Sequence, residues 1–261
     1  MRIPASLFLG LSGLALMACQ RTPTASHLEV LSWSGQEGDC VALDQPLRVR
    51  FSAPLRAPLR PGAVLVVDEG DHPVPGLMVR IDGPYLQILP KPPQQANLSG
   101  GSLAPGQSFA IRLRGLPSLS ALQGEAGEVL AGDLDLRFQC CPATDPAALL
   151  GLGDPTKPLQ LLPGQLQGGL LSLRPKQELV LRFASGVDPR TLQERAVLEP
   201  AGEGESLKLV LELRDNQLEE AMVVLDLGDW SGWGILRLPE GLEGLGGQPL
   251  APELQQLRIH R

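Results

Sequence analysis

Pro46-Leu-Arg-Val-Arg-Phe-Ser52 and Glu178-Leu-Val-Leu-Arg-Phe-Ala184 carry one pattern twice. In each, apolar and polar residues alternate with period two, so each predicts a β-strand with one face buried and the other in water. A proline-containing turn follows both, Ser52-Ala-Pro54 in the first and Val187-Asp-Pro189 in the second. Further along, Ile111–Leu122 finds a counterpart in Ile235–Leu245, and each half closes on a strand, Leu134–Phe138 and Leu254–Ile259. A spacing of roughly 120–130 residues is that of a domain rather than of a solenoid unit, so the chain is expected to hold two β-domains in tandem.

The rest of the first half supplies strands at Leu28–Trp33, Ala63–Asp68, Leu77–Ile81 and Tyr85–Leu89, with proline and glycine in the gaps. About seven short strands in roughly 110 residues is the count of an immunoglobulin-like sandwich. The order of Val49-Arg-Phe-Ser-Ala-Pro54, Leu86-Gln-Ile-Leu-Pro90, Leu103-Ala-Pro-Gly-Gln-Ser-Phe-Ala-Ile111 and the closing strand Leu134–Phe138 resembles the bacterial Ig-like domain named from the S-layer protein SbsA. Phe109 stands where that family usually has tyrosine. The second half matches less fully: Phe183–Pro189 fits the first motif, but Asp229-Trp-Ser-Gly-Trp233 replaces the Leu-x-Pro-Gly signal. The expected fold is all-β, two tandem immunoglobulin-like β-sandwiches over residues 27–141 and 157–261, joined by a linker over 142–156 that contains two Asp-Pro turns.

Ahead of these domains, Arg2, the apolar stretch Leu7–Leu16 and the small residues before Cys19 have the layout of an export signal, too short to span a bilayer. Leu16-Met-Ala-Cys19 resembles the lipobox of bacterial lipoproteins. The resemblance implies cleavage after residue 18 and lipidation of Cys19, and buried acyl chains at ~0.8 kcal/mol per methylene anchor a protein firmly. Gln20 in place of aspartate implies the outer membrane if the cell is Gram-negative. The tether over 19–26 then keeps the first domain close to the bilayer and leaves the second facing outward.

An exported chain sits in an oxidising compartment, which favours a disulfide among Cys40, Cys140 and Cys141. In an Ig-like sandwich the loop holding Cys40 lies at the end where the last strand delivers Cys140 and Cys141, so either is an acceptable partner. One thiol is left over, and with no His or Lys placed to activate it, it is read as structural.

The composition, 43% hydrophobic with 3% aromatic residues and a net charge of -7, argues for cores of Leu, Val and Ile and against nucleic-acid binding. No cofactor and no metal are expected. His27, His72 and His260 lack zinc spacing, and Asp68-Glu-Gly-Asp71 reads as a hairpin connection rather than a calcium loop. Ser99, Ser102 and Ser108 lack a nucleophile elbow, so no catalytic residue is assigned and the protein is not expected to be an enzyme. Trp230 and Trp233 are the candidates for binding a partner, although so aromatic-poor a domain is expected to bury at least one of them. The functional expectation is a lipid-anchored envelope spacer, scaffold or protein-binding module, its partner an envelope protein or a glycan. The alternative is a substrate-binding lipoprotein or enzyme accessory that uses an interdomain cleft.

Overall fold

The computed structural model describes residues 27–36, 40–151, 156–202 and 204–261. Cys19, the signal segment before it and the tether lie outside the described residues.

The first half runs β1 (His27–Leu28), β2 (Val30–Trp33), β3 (Leu47–Phe51), β4 (Val64–Asp68), β5 (Met78–Asp82), β6 (Tyr85–Leu89), β7 (Ser108–Leu113), β8 (Val129–Leu130) and β9 (Leu134–Gln139). The second runs β10 (Leu170–Ser172), β11 (Leu179–Phe183), β12 (Ala196–Pro200), β13 (Leu207–Leu209), β14 (Glu212–Asn216), β15 (Ala221–Leu225), β16 (Trp233–Arg237) and β17 (Gln256–His260). Among the described residues the only helical segments are short 3₁₀ turns. In the first half, the sheet β2-β3-β6-β5 packs on β4-β7-β9; in the second, β11-β15-β14 packs on β10-β17-β16-β12-β13. The fold is therefore all-β and built of β-sandwiches.

The two quoted strands occupy equivalent places. Leu47, Val49 and Phe51 on β3, and Leu179, Leu181 and Phe183 on β11, are all buried. Their cross-strand partners also correspond, Leu47 facing Ile88 and Leu179 facing Leu225. In the opposite sheets, Val66 pairs with Ile111 and Ile111 with Leu136, matching the row of Leu198, Leu236 and Leu257. The counterpart of Ile111 is thus Leu236, not Ile235 as the sequence suggested. A one-residue slip reverses every side chain, which is why Leu236 is buried while Ile235 is 37% exposed.

A shift of three residues in the opposite direction conceals a second repeat. Leu122-Gln-Gly-Glu-Ala-Gly-Glu-Val-Leu-Ala131 and Leu242-Glu-Gly-Leu-Gly-Gly-Gln-Pro-Leu-Ala251 form one loop twice. Gly124 N donates to Glu128 O and Gly244 N to Gln248 O, both at 2.9 Å. Gly127 and Gly247 sit at φ +95° and +73°, a backbone region that glycine reaches without a Cβ clash. Leu242, rather than Leu245, is the equivalent of Leu122, and Leu245 is free for another role.

The expected linker is partly folded. Asp145 caps the 3₁₀ turn Pro146–Ala148, accepting from Ala147 N at 2.8 Å. Leu43 N donates to Ala148 O at 2.9 Å, and Ala148 and Leu149 are buried in the first core. The first sandwich therefore extends through Gly151, and the segment taken for a linker supplies part of its core.

Candidate functional site

The halves are joined by a buried amide, Asn216, and a leucine, Leu245, beside a buried carboxylate, Asp44, that anchors the end of the first sandwich. Asp44, 1% exposed, accepts from Leu150 N at 2.7 Å and Gly151 N at 2.8 Å, which fixes where the chain leaves the first sandwich. Burial pushes its carboxyl above the usual value, the two amides opposing that shift. From the second sandwich, Leu245 enters the first hydrophobic core, with Leu218 packed against the same cluster. Leu245 N donates to Gly186 O at 3.0 Å, so its loop is held while its side chain crosses over. Asn216, fully buried at the end of β14, has every hydrogen-bonding atom but one lone pair engaged: Oδ1 accepts from Val187 N at 3.0 Å, and Nδ2 donates to Val187 O at 2.9 Å and to Pro93 O at 2.8 Å. Lys91 and Asp215 add an ion pair at 3.7 Å.

Beside this junction lies an open groove of about 820 Å3. Its floor is the outer face of β3, β6 and β5, with Arg48, Gln87, Arg80, Met78 and Leu89; its far wall is the β14–β15 turn, Gln217–Glu220. The floor exists because alternation leaves the arginines of these strands in solvent while Val49, Leu86 and Ile88 fill the core.

Cys40 and Cys141 form a disulfide with Cα atoms 4.9 Å apart, closing a separation of 101 residues. Cys140 is the free thiol; it is buried, and desolvation pushes it up to about 12, so it is a poor nucleophile near neutral pH. The tryptophans separate. Trp230 is half-buried against the second core, its ring lying over Gly234 where a side chain would otherwise stand. Trp233 is 56% exposed and its ring centroid lies 4.4 Å from that of His260. The two do not form one paired binding surface.

The acidic hairpin is held by its own backbone: Asp68 Oδ1 accepts from Gly70 N at 2.8 Å and His72 N at 2.9 Å. The His72 amide is the main reason that the Asp68 carboxyl lies below the usual range. Asp71 turns away to Arg112, which also holds Asp135 at 3.0 Å. Ser102 Oγ accepts from Lys91 N at 3.0 Å, a loop contact rather than an activated nucleophile. The one grouping of three metal-type ligands found among the described residues is Cys40, Cys141 and Asp145, whose two sulfurs are already joined.

No family model and no curated protein matches the chain. Among solved structures, it is similar to native alpha-2-macroglobulin from Escherichia coli spanning domains MG0-NIE-MG1, at 13% identity and a TM-score of 0.41, covering 90% of this chain and 71% of that one. A second likeness is to the N-terminal part of the bacterial S-layer protein SbsC, at 11% identity and a TM-score of 0.30, covering 91% of this chain and 45% of that one. Likeness at that level carries no argument about function, and the β-sandwich assignment stands on the strand pairings.

Sequence reasoning found the exposed Trp233 and the cysteines but missed the junction. Asp44, Asn216 and Leu245 sit in turns and strand ends that look ordinary, and their partners come from the other half or from the segment taken as linker.

Proposed function

We propose that this chain is a lipid-anchored cell-envelope protein, attached through Cys19 to the outer membrane if the cell is Gram-negative, that serves as a non-catalytic spacer, scaffold or protein-binding module. The observation that supports this reading best is the junction. Leu245 set in the other sandwich's core and Asn216 bonded to Pro93 O join the two halves through buried contacts, as a body that presents surfaces at fixed distances requires. The two buried carboxylates are also engaged within the protein: Asp44 is tied to backbone amides, and Asp188 forms a forked pair with Arg190, its Oδ2 2.6 Å from Nη2.

Crosslinking of intact envelopes containing the mature protein, followed by its recovery, tests the scaffold reading. A defined envelope partner is expected, and recovery of the protein alone at every crosslinker length would refute it. Cys19→Ser is expected to leave unacylated precursor outside the detergent phase; normal partitioning of that variant would remove the lipid anchor from the account.

A second reading is favoured by the groove beside the junction, whose 820 Å3 is in the range of small-molecule sites. In it the protein would be a ligand-binding lipoprotein or an enzyme accessory.

A further inference from the structure

Strand β5 is the free edge of the sheet β2-β3-β6-β5, and no backbone hydrogen bond joins its outer side to another described residue. Proteins normally protect such an edge by covering, bending or charging it. Here all of Met78–Asp82 is exposed except the half-buried Ile81, and both Met78 at 49% and Val79 at 39% show large apolar side chains to water. Val79 points toward the core face, so the sandwich is open along this edge.

The charges on the other face follow a row. Arg48 pairs across strands with Gln87, and Gln87 with Arg80, so β3, β6 and β5 carry guanidinium, amide and guanidinium side by side. At ~4.8 Å between strands, the two arginines flank the amide along a line perpendicular to the chain. Neither has an acidic partner among the described residues, as is also true of several arginines elsewhere such as Arg50 and Arg137, so what distinguishes this pair is its place in one row beside a free edge. Arg80 Nε instead donates to Met78 Sδ at 3.2 Å. A strand added at β5 would continue the row directly beside Arg80.

We propose that the free edge of β5 takes up an extended acidic segment of a partner protein as an additional strand, its acidic side chains continuing the row of Arg48, Gln87 and Arg80. The proposal rests on the protein-binding reading above and names the surface and the partner's chemistry. The segment alternates acidic residues, set on the groove face beside Arg80, with apolar residues, set on the core face beside Val79 and Ile81. Glu220 on the far wall is taken by Arg182, and Glu219 repels a guest that strays across the groove, so the acidic segment is held at β5. A second copy is the competing occupant: antiparallel pairing about Arg80 sets arginine against arginine, whereas pairing about Ile81 sets Arg80 against Asp82, and the test below separates self-pairing from the acidic segment.

The test uses the mature protein and a short capped peptide alternating glutamate and valine, its affinity followed by calorimetry at low and moderate salt. Binding is expected to weaken with salt, to fail for the lysine–valine counterpart, and to fall by about tenfold or more in Arg48→Glu/Arg80→Glu, with a smaller loss in Arg48→Gln/Arg80→Gln. These side chains are exposed, and an unchanged unfolding midpoint verifies that the variants fold. Undiminished affinity in the charge-reversed variant overturns the proposal, as does equal binding of a peptide N-methylated along one edge, which retains charge but cannot pair as a strand. A self-associated protein that the peptide dissociates would assign the edge to a second copy and also overturn it. If the charge-reversed protein still captures its envelope partner, this surface is wrong and the scaffold reading stands; if the native protein captures none, the scaffold reading itself fails.

Discussion

Asn216 of the second sandwich donates from Nδ2 to the carbonyl oxygen of Pro93 in the first, at 2.8 Å and out of contact with water. The same side chain holds both backbone groups of Val187, so the bond across the junction and the local turn depend on one amide. Replacing it leaves three buried backbone groups without that partner. Asn216→Ala is expected to destabilise the protein by about 2–4 kcal/mol in urea unfolding, and a loss under ~0.5 kcal/mol would show that water replaces the amide at little cost.

Leu245 belongs to the second half by sequence and to the first by packing. Leu245→Ala removes apolar volume from a core that its own loop cannot refill, at a cost of about 2–4 kcal/mol. Hydrogen exchange distinguishes this from an ordinary core defect: the variant is expected to lose protection at the hydrogen-bonded amides of Leu43 and Leu150 in the first sandwich, not only around Gly186 in the second. Unaltered protection in the first sandwich would count against Leu245 as a link.

Asp44, beside the junction, makes stability depend on pH with a sign opposite to that of Asp68, Asp133 and Asp135. Burial outweighs the amides of Leu150 and Gly151, so its pKa in the folded protein lies above the ordinary 3.8, and the folded state binds its proton more tightly than the unfolded chain does. Its contribution to stability is full at acidic pH and is lost as pH rises from 3.8 through the raised value. Asp133, lowered chiefly by the Gly115 amide, and Asp135, lowered chiefly by Arg112, lose theirs as pH falls through their lowered values. The unfolding free energy of the native protein minus that of Asp44→Asn is therefore expected to decrease as pH rises through this window. An increase would mean that the two amides outweigh burial.

The disulfide between Cys40 and Cys141 closes a separation of 101 residues, for which the chain-entropy model gives up to ~4.7 kcal/mol. Cys40→Ser/Cys141→Ser is expected to unfold at markedly lower denaturant. Cys140, buried and with its thiol pushed up to about 12, is expected to resist maleimide in the native protein and react only on unfolding. Rapid native labelling at Cys140 would contradict that burial.

These residues mark where the sequence could and could not be read. Alternation in Leu47–Phe51 and Leu179–Phe183 identified equivalent strands, because period two is a local property of chains with one wet face. Register in β16 was misread because Ile235 and Leu236 are both apolar, and only pairing with β12 and β17 decides which of them points inward. Trp233 could be singled out as a binding candidate from composition, but its separation from Trp230 depends on Gly234 leaving room for one indole. Asp44 and Asn216 gave no signal at all, since a buried carboxylate or amide is recognised only by the backbone groups brought to it from distant positions.

The central claim is that two sandwiches joined by Asn216 and Leu245 act as one rigid scaffold. Pulsed electron-paramagnetic-resonance distances between spin labels at Leu119→Cys and Val210→Cys, exposed positions in the first and second halves, test it most directly in the mature membrane-bound protein. Buried Cys140 is not expected to compete for label. The account predicts one narrow distance distribution that broadens in Asn216→Ala/Leu245→Ala. A broad distribution in the otherwise native protein, unchanged by those substitutions, would contradict it.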